Sequence, residues 1–377
     1  MHEPDGVVVG ADDPVRPRIK NRNKRDDRVV VPYKGGVIMA KIAVLGCGFG
    51  GALAALWCKS GHNVTAWTKF RDEIDAIKRD GEHKKLLPGI KLPPEINFTA
   101  DISEIQGCDI LVFAIPSNFV RETARLAAPF ICANTIILNV GKGFEGSTKK
   151  RQSEVIAELI PNNAVVILTG PCHAEEVARG VPTTAVCASD CKDAMYYVQD
   201  NLQSESFRIY LSDDVKGCEL GGALKNTIAL CCGITRGMGL GDNTIAALMT
   251  RGLAEITRLS VALGARWQTF TGLSGVGDLI VTCTSELSRN HRAGKLIGSG
   301  LTAGEAIEKT GTVEGSGCAK SALEIARSLD VSIPIIEQLN MILFEDMKPA
   351  DALKALMSRP SKHEQEEYWN CCDNAGL

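Results

Sequence analysis

Residues 40–61 read AKIAVLGCGFGGALAALWCKSG, and this stretch decides the fold. The β-branched run Ile42–Leu45 predicts a short strand, and a helical pattern follows over 50–60. Between them, Gly46-Cys47-Gly48-Phe49-Gly50-Gly51 fits the GxGxxG pattern. A strand, a glycine turn and a helix in this order are typical of a dinucleotide-binding site, although a tight turn without a ligand is the alternative.

The three glycines that match the pattern each have an expected task. Gly46 permits the tight turn, Gly48 lets the backbone approach a pyrophosphate, and Gly51 lets the helix pack on the strand. The start of the helix then offers free N–H groups and the positive end of its dipole to phosphates. The sequence therefore predicts a cofactor site at the first connection between strand and helix.

Short apolar runs alternate with helical patterns from residue 41 to about residue 213. The runs that predict strands are Ile42–Leu45, Val64–Trp67, Ile110–Ile115, Thr135–Val140, Val165–Leu168, Thr184–Cys187 and Phe207–Leu211. This alternation predicts an α/β domain over 39–213, with a mostly parallel sheet and helices on both faces. Residues 214–360 have a helical pattern instead, which predicts an all-α C-terminal domain. Its longest periodic stretches are 217–233, 242–264, 288–298, 317–330 and 335–345.

The two ends of the chain lack a repeating apolar face. Residues 1–38 are charged and contain proline, which favours a disordered extension. Because Met39 directly precedes the first domain, a start codon assigned too far upstream is the alternative. Residues 361–377 include an acidic stretch and predict a flexible tail.

Composition excludes several classes of protein. The chain has 377 residues, of which 45% are hydrophobic and 23% charged, as in folded domains rather than disulfide-stapled miniproteins or disordered chains. Lys and Arg number 42 against 45 Asp and Glu, so the net charge of −3 provides no basic field for nucleic acid. No apolar run approaches the ~20 residues of a membrane-spanning helix.

Fourteen cysteines are present, but their spacing fits neither a zinc finger nor another metal site. Because no secretory signal opens the chain, we interpret them as reduced thiols of a cytoplasmic protein. The adjacent pairs Cys231-Cys232 and Cys371-Cys372 are interpreted as small apolar residues.

The end of the second predicted strand bears on the choice of cofactor. An Asp or Glu about 20 residues after the glycine turn favours NAD, but here Val64–Trp67 runs into Thr68-Lys69-Phe70-Arg71. Lys69 or Arg71 could pair with a 2′-phosphate, which favours NADP(H). The alternative is that both bases are ordinary solvated surface residues.

Three further segments combine glycine with polar groups, which suits ligand binding at strand ends. They are Asn139-Val140-Gly141-Lys142-Gly143, Gly170-Pro171-Cys172-His173-Ala174 and Gly275-Val276-Gly277-Asp278. In addition, Lys225 and Asn226 lie in the otherwise apolar helical stretch CELGGALKNTIALCCG. Burial there would lower the pKa of an amine and suit it to proton transfer, whereas a lysine that extends to solvent is an equal alternative.

The order of these motifs resembles the NAD(P)-dependent glycerol-3-phosphate dehydrogenases, most closely the bacterial form. The shared motifs are the glycine turn, GKGFE, GPCHAEEVARGVPT, ELGGALKNTIA, GVGDLIVTCTSELSRNHRAG and VEG, and the resemblance covers about residues 39–360. It implies a Rossmann-type domain over 39–213 followed by a helical substrate domain over 214–360. It also implies reversible hydride transfer from NADH or NADPH to dihydroxyacetone phosphate, without a metal. The product, sn-glycerol 3-phosphate, would supply phospholipid synthesis.

The resemblance also implies roles for individual residues. Lys225 matches the family's proton donor or acceptor, and Asp278 matches the carboxylate beside it. Substrate-contacting positions are matched by Lys142, Gly170, Cys172, Lys225, Asn226, Asp278, Ser288, Arg289 and Asn290. Cofactor positions are matched by Gly46, Gly48, Phe49, Gly50, Gly51, Lys69, Lys142, Ala174, Arg289, Thr312 and Glu314. Independently of the family, the forked guanidinium of Arg289 near a helix start suits a phosphate.

Three residues depart from the family pattern. Phe49-Gly50 replaces the usual Ser-Trp, which removes a hydroxyl that contacts the cofactor. Cys172 replaces a serine and is a weaker hydrogen-bond donor beside the substrate. His173 matches no family role, and we interpret it as a scaffold or rim residue.

Two other functions fit part of the pattern. A related two-domain ketoacid reductase would use the same fold and a helical-domain lysine, with Ser288-Arg289-Asn290 binding a carboxylate. A non-catalytic dinucleotide sensor needs only the glycine turn, and the combination of Lys142, Lys225 and Asp278 speaks against it. The apolar helices of the second domain would suit a homodimer or simply a buried core, and no nucleic-acid or membrane partner is expected.

Overall fold

The structure is a computed structural model that describes residues 39–361, 363 and 364. An α/β region comes first and a helical region follows it. The predictions for 1–38 and for nearly all of 361–377, including the Cys371-Cys372 pair, lie outside the described residues.

One eight-stranded sheet forms the centre of the α/β region, in the order β3-β2-β1-β4-β5-β6-β7-β8. Its strands are β1 (Lys41–Leu45), β2 (Asn63–Trp67), β3 (Asn97–Thr99), β4 (Ile110–Phe113), β5 (Ile136–Asn139), β6 (Val165–Thr169), β7 (Thr183–Ala188) and β8 (Phe207–Ser212). Neighbouring strands pair in parallel except β6 and β7, which are antiparallel. The predicted mostly parallel sheet is therefore confirmed.

Helices cover both faces of this sheet. They are α1 (Phe49–Lys59), α2 (Arg71–Asp80), α3 (Val120–Ala127), α4 (Gln152–Leu159), α5 (Ala174–Arg179) and α6 (Lys192–Leu202). Along β1, Ile42 and Val44 enter the core on one face, whereas Ala43 and Leu45 enter the core on the other. A strand buried on both faces is apolar throughout, which is why β1 has no polar alternation.

Strand β3 was not predicted. It is three residues long and contains one large apolar side chain, Phe98, so it has no period that a pattern search could detect. The other strands begin or end within two residues of the predicted bounds.

The second region is helical, as predicted. Its helices are α7 (Val215–Gly237), α8 (Asp242–Ala262), α9 (Asp278–Thr284), α10 (Arg289–Gly298), α11 (Ala303–Thr310), α12 (Glu314–Ser328), α13 (Pro334–Phe344) and α14 (Pro349–Met357). Helices α9, α11 and α14 lie within the region predicted as helical but were not predicted individually, because seven to nine residues are too few for a convincing helical period. The last strand ends at Ser212 and α7 begins at Val215, and the division at 213/214 remains a prediction.

Helix α7 is the central helix of this region, and α10 crosses it at backbone contact. A Cβ on Gly233 would lie 2.1 Å from the carbonyl oxygen of His291, and one on Gly294 would lie 2.2 Å from that of Leu230. Only glycine allows this approach. The contact brings the start of α10 beside the middle of α7, where Lys225 lies.

The described residues were compared with the requirements of a membrane-spanning helix and of a metal site, and they meet neither. Between residues 39 and 361, none of the helices combines the length and apolar character that a bilayer crossing requires. Within the described part of the chain, no group of three or more His, Cys, Asp or Glu side chains could hold a metal ion. The described cysteines are free thiols, and most are buried, including Cys231 and Cys232.

Candidate active site

The glycine turn between β1 and α1 has the geometry of a phosphate cradle. Gly46 has a φ of 106°, and a Cβ there would lie 2.5 Å from the carbonyl oxygen of Ala114. Gly48 precedes α1, and no side chain caps the N–H groups of that helix. A Cβ on Gly48 would approach only Leu86, at 3.4 Å or more. The turn therefore leaves open backbone and free N–H groups, which fit the pyrophosphate of a dinucleotide.

The close packing expected of Gly51 falls instead on Gly50. A Cβ on Gly50 would lie 2.8 Å from Val44 Cγ1 in β1 and 2.8 Å from the Cβ of Ala114, which directly follows β4. A Cβ on Gly51 would meet only the flexible end of Leu87, at 3.2 Å. Gly50 is therefore the glycine that lets α1 pack against the sheet.

The end of β2 presents Lys69 between two exposed aromatic rings. The Nζ atom of Lys69 lies 5.6 Å from the ring centroid of Phe70 and 5.5 Å from that of Phe119. Its ion pair with Glu122 is loose, at 3.9 Å. Such a cation with flanking rings can receive a flat base and a phosphate together. Phe119 was not predicted, because it follows a different strand.

A carboxylate from the following helix reaches the end of β2, although the sequence has no acid directly after this strand. Glu73 lies in α2, and its carboxylate accepts a hydrogen bond from Thr68 Oγ1 at 3.1 Å. Its other neighbour is His83, at 3.8 Å. The strand itself ends without an acid, so the carboxylate arrives from the following helix and is already hydrogen-bonded.

A cluster of two lysines and one aspartate lies where the sheet meets the helical region. Lys225 is 5% exposed, and its Nζ donates to Asp278 Oδ1 and to Thr282 Oγ1. Lys142 donates to Asp278 Oδ2 at 2.8 Å and to the carbonyl oxygen of Gly170 at 2.8 Å. Asp278 is fully buried. Lys225 therefore does not extend to solvent, and Asp278 binds both ammonium groups with its two oxygens.

The two amines differ in their proton affinity. Burial lowers the pKa of Lys225 from its ordinary 10.5 to about 8. The positive charge of Lys142 also lowers this pKa, whereas the Asp278 carboxylate raises it. Burial also lowers the pKa of Lys142, but the Asp278 carboxylate more than offsets this, so that pKa is raised overall. Near neutral pH, Lys142 remains a fixed cation while Lys225 can release a proton.

The segment after β6 lines the same cluster. Gly170 contributes its carbonyl to Lys142, and the thiol of Cys172 lies 3.8 Å from the carbonyl oxygen of Thr184. Burial raises the pKa of Cys172 to about 12, so this thiol stays protonated. His173 precedes α5, which begins at Ala174, and its Nε2 lies 3.4 Å from the carbonyl oxygen of Val281 in α9. Burial lowers the pKa of His173. These contacts agree with a scaffold histidine.

The segment 288–290 begins α10, but its polar groups are not equally free. Ser288 Oγ accepts the backbone N–H of His291 and so caps the helix. Asn290 donates to Asn226 Oδ1 at 3.0 Å and accepts the N–H of Gly315 at 2.9 Å. Arg289 is exposed and makes no ion pair with a described residue. Of these side chains, Arg289 is the one free to bind an anion.

Glu314, a predicted cofactor residue of the helical region, binds Ser117 of the α/β region. It is the first residue of α12, and its carboxylate accepts Ser117 N at 3.2 Å and Ser117 Oγ at 2.6 Å. Thr312, two residues before it, is exposed. The structure therefore places Glu314 beside the connection after β4, on the same sheet edge as the glycine turn.

Three further residues belong to the cluster and were not predicted. Thr282 binds the Lys225 ammonium, and its position in α9, one turn after Asp278, is a spacing signal that could have found it. A Cβ on Gly222 would lie 2.8 Å from Thr169 Oγ1 and 3.4 Å from Lys142 Cγ, so this glycine makes room for the lysine stem. The hydroxyl of Thr169 is buried without a partner in the described structure.

Comparison with known proteins assigns the chain to a family. A family model described as NAD-dependent glycerol-3-phosphate dehydrogenase N-terminus matches residues 41–195, and its C-terminus counterpart matches 214–354. The glycerol-3-phosphate dehydrogenase (NAD(P)+) of Desulfitobacterium hafniense strain Y51 is 47% identical over 331 residues, covering 87% of this chain and 94% of the relative. That of Thermoanaerobacter sp. strain X514 is 49% identical over 327 residues, covering 86% and 98%.

A solved structure agrees with this assignment. The 2.1 Å crystal structure of glycerol-3-phosphate dehydrogenase from Coxiella burnetii superposes with a TM-score of 0.82 at 33% identity, covering 85% of this chain and 99% of that one. The two family models and the superposed structure thus cover both regions of the fold. The chain belongs to the NAD-dependent glycerol-3-phosphate dehydrogenase family.

Proposed function

We propose that this enzyme interconverts dihydroxyacetone phosphate and sn-glycerol 3-phosphate with NAD(H) or NADP(H), using Lys225 as the proton donor and acceptor. The observation that carries the assignment of Lys225 is its buried ammonium, bound to Asp278 beside Lys142. Family membership supports the reaction itself and gives no support to the ketoacid reductase or the sensor.

The chemistry divides between the cofactor and the residues of the chain. When bound, the nicotinamide supplies or accepts the hydride at the carbon of the substrate that carries the oxygen. In the reducing direction, Lys225 Nζ gives a proton to the carbonyl oxygen, and in the oxidising direction its neutral amine removes the hydroxyl proton. A lowered pKa of about 8 lets the same amine serve in both directions near neutral pH.

The neighbours of Lys225 hold it and set the local charge. The Lys225 ammonium donates one hydrogen bond to Asp278 Oδ1 and a second to Thr282 Oγ1, and the two bonds together orient it. Lys142 bridges Asp278 and the Gly170 carbonyl, so its positive charge lies beside Lys225 and would stabilise negative charge that develops on a substrate oxygen there. Two cations against one carboxylate leave the site net positive, which suits a phosphorylated substrate.

We assign the substrate phosphate to the start of α10. Arg289 is unpaired there among the described residues, and the first N–H groups of the helix add to its guanidinium. Ser288, Asn290 and Asn226 support this arrangement by capping α10 and joining it to α7.

We further propose that Lys69 and Arg71 favour NADPH over NADH. Lys69 has only a loose pairing with Glu122, Arg71 is exposed, and both follow the strand whose end approaches the adenosine ribose in this fold. The glycine turn would hold the pyrophosphate, and Glu314 and Ser117 lie on the same side.

The setting of the enzyme is also a proposal. Free cysteine thiols suit a reducing compartment, so we place the enzyme in the cytoplasm, where its product would supply phospholipid synthesis. A homodimer through the helical region is supported by exposed apolar side chains at Phe344 and Met357. Light scattering of the purified protein tests the oligomeric state.

A steady-state assay tests the function directly. The purified enzyme is given dihydroxyacetone phosphate or 2-ketopantoate, each with NADH and with NADPH, and oxidation of the nicotinamide is followed by absorbance. Turnover of dihydroxyacetone phosphate alone is expected. Turnover of the ketoacid alone would establish the reductase alternative, and nucleotide binding without any turnover would establish the sensor.

A further inference from the structure

Lys142 belongs to a segment that leaves the sheet and docks on the helical region. We call residues 141–151, between β5 and α4, the Lys142 segment. Its Phe144 is 5% exposed and lies in the hydrophobic core of the helical region rather than in either core of the sheet. The position of Lys142 is therefore set by contacts with the helices as well as by β5.

The two ends of this segment are joined to each other. Phe144 and Arg151 form an antiparallel bridge, and the N–H of Glu145 donates to the carbonyl oxygen of Lys150 at 3.0 Å. Gln152 Nε2 donates to the carbonyl oxygen of Gly143 at 3.2 Å. A displacement of Arg151 is consequently transmitted to the backbone beside Lys142.

Arg151 binds two carboxylates, Glu154 of α4 at 2.8 Å and Glu219 of α7, and only Glu219 ties it to the helical region. Glu219 is 8% exposed and accepts Arg151 Nη1 at 2.6 Å, Ser153 N at 2.9 Å and Ser153 Oγ at 2.6 Å. Ser153 lies in the first turn of α4, so the same carboxylate also caps that helix. Helix α7 carries both Glu219 and Lys225.

We propose that Glu219 is a positioning residue of the active site, which holds the Lys142 segment through Arg151 and Ser153 and so fixes Lys142 against Asp278 and Lys225. This inference rests on the proposed function. It extends that function because Glu219 lies on the same helix as the proton donor, Lys225, and connects this helix to the segment that carries Lys142.

The physical reason lies in the precision that proton transfer requires. Misplacement of a catalytic group by about 1 Å can lower a rate on the order of 100-fold. Lys142 has a 17% exposed side chain and a long stem, so its two hydrogen bonds alone do not fix the backbone that carries it. Glu145 is also held, by Arg121 Nε at 2.6 Å and Nη2 at 2.9 Å. The core contact of Phe144 and the Glu219 contact of Arg151, one at each residue of the bridge, add the constraint from the helical region.

The test compares Glu219→Ala and the milder Glu219→Gln with the unchanged enzyme. Glu219→Ala is expected to lower kcat on the order of 10- to 100-fold while the KM for nicotinamide nucleotide changes less than about twofold. Glu219→Gln retains an acceptor for Ser153 and should lose less. If Glu219→Ala does not fold, Glu219→Gln and Arg151→Lys carry the same test.

Two readouts separate positioning from a purely structural role. The Lys142 charge lowers the pKa of Lys225, and Asp278 raises it. If Lys142 moves away, the pKa of Lys225 rises. In Glu219→Ala, the fall of kcat for ketone reduction at alkaline pH should therefore occur at higher pH than in the unchanged enzyme. In a double-mutant cycle, Glu219→Ala should add little to the loss already caused by Lys142→Ala, since both remove the same constraint.

Glu255→Gln is a matched control. Glu255 is also a buried carboxylate of the helical region, 3% exposed, and it caps α13 by accepting the N–H groups of Ile335 at 2.8 Å and Ile336 at 3.3 Å. This control should alter thermal stability and leave the kcat profile unmoved. Hydrogen exchange, which does not depend on activity, should accelerate over 141–151 in the Glu219 variants and at the start of α13 in the control.

The outcomes distinguish the two levels of the account. Absence of dihydroxyacetone phosphate turnover in the unchanged enzyme would contradict the proposed function, whereas faster exchange over 141–151 in Glu219→Ala would still support the anchor. Normal turnover in the unchanged enzyme, combined with Glu219→Ala effects that are additive with Lys142→Ala or confined to melting temperature, would overturn the positioning role.

Discussion

Lys225 and Asp278 form a buried ion pair that joins α7 to α9, although the two residues are 53 positions apart in sequence. The other oxygen of Asp278 binds Lys142, so two cations from two regions meet at one carboxylate. Burying such charges costs free energy that apolar side chains would not cost, which makes a purely stabilising role a poor explanation. A site that must hold and move a proton beside an anionic substrate does explain it.

The pH dependence of the two reaction directions should have opposite signs. With the pKa of Lys225 lowered to about 8 by burial, the ammonium form that donates a proton is lost as pH rises above about 8. We therefore expect kcat for ketone reduction to fall through this range and kcat for alcohol oxidation to rise. Initial rates at saturating substrate, measured in each direction from pH 6 to 10, check this. Profiles with limbs of the same sign would exclude Lys225 as the shared acid and base.

Lys69 and Arg71 should govern the choice of nicotinamide. Lys69→Asp replaces a positive charge by a negative one at the proposed position of the 2′-phosphate. Arg71→Ala, added to it, removes a second positive charge. The ratio of kcat/KM for NADPH to that for NADH is expected to fall by at least about tenfold, the equivalent of roughly 1.4 kcal/mol. Glu122→Gln, which removes only the loose partner of Lys69, serves as a control. An unchanged ratio would make both bases ordinary surface residues.

Arg289→Lys separates phosphate recognition from positive charge. Lysine keeps the charge but loses the two parallel N–H groups of the guanidinium, so kcat/KM for dihydroxyacetone phosphate should fall. The poor turnover of unphosphorylated dihydroxyacetone should hardly change, because that substrate has no phosphate to bind. The nucleotide KM must be measured in the same variant. Equal losses for both substrates would leave Arg289 as a cofactor or structural residue.

Glu255 should make the stability of the helical region depend on pH. Burial raises its pKa from 4.5 to about 7, although two backbone N–H groups act in the opposite direction. A carboxyl with a raised folded pKa contributes most below pH 4.5 and loses this contribution as pH rises through 7. The free energy of unfolding of the unchanged protein, relative to that of Glu255→Gln, should fall by up to about 3 kcal/mol between pH 4.5 and 8. A constant difference across that range would contradict the assignment.

The sequence was most informative where a local pattern determines the structure. The glycine turn, the strands around it and the long helices α7 and α8 follow from periodicity and from short-range turn chemistry. The short elements β3 and α9 were not predicted individually because they span at most two repeats of their period, too few to establish a pattern. Gly50 rather than Gly51 packs on the sheet because the closest approach depends on Val44 and Ala114, whose arrangement is tertiary.

The parts of the site that sequence reasoning missed are contacts between distant segments. Ser117 meets Glu314 across 197 positions, and Arg151 meets Glu219 across 68. Nothing in the neighbourhood of either residue indicates its partner. Resemblance to a family supplied the individual site residues, but it could not indicate that Asn290 is occupied by Asn226 or that Phe144 lies in the helical core.

The central claim, that Lys225 transfers the proton, is tested most directly by Lys225→Ala with dihydroxyacetone phosphate and NADPH. Lys216→Ala, which removes an exposed lysine from the same helix, is the matched control. The measurement is kcat together with the nucleotide dissociation constant from a fluorescence titration. We predict a fall in kcat of roughly 10²- to 10⁴-fold in Lys225→Ala, with nucleotide binding nearly unchanged and Lys216→Ala unaffected. A kcat near that of the unchanged enzyme would contradict the account.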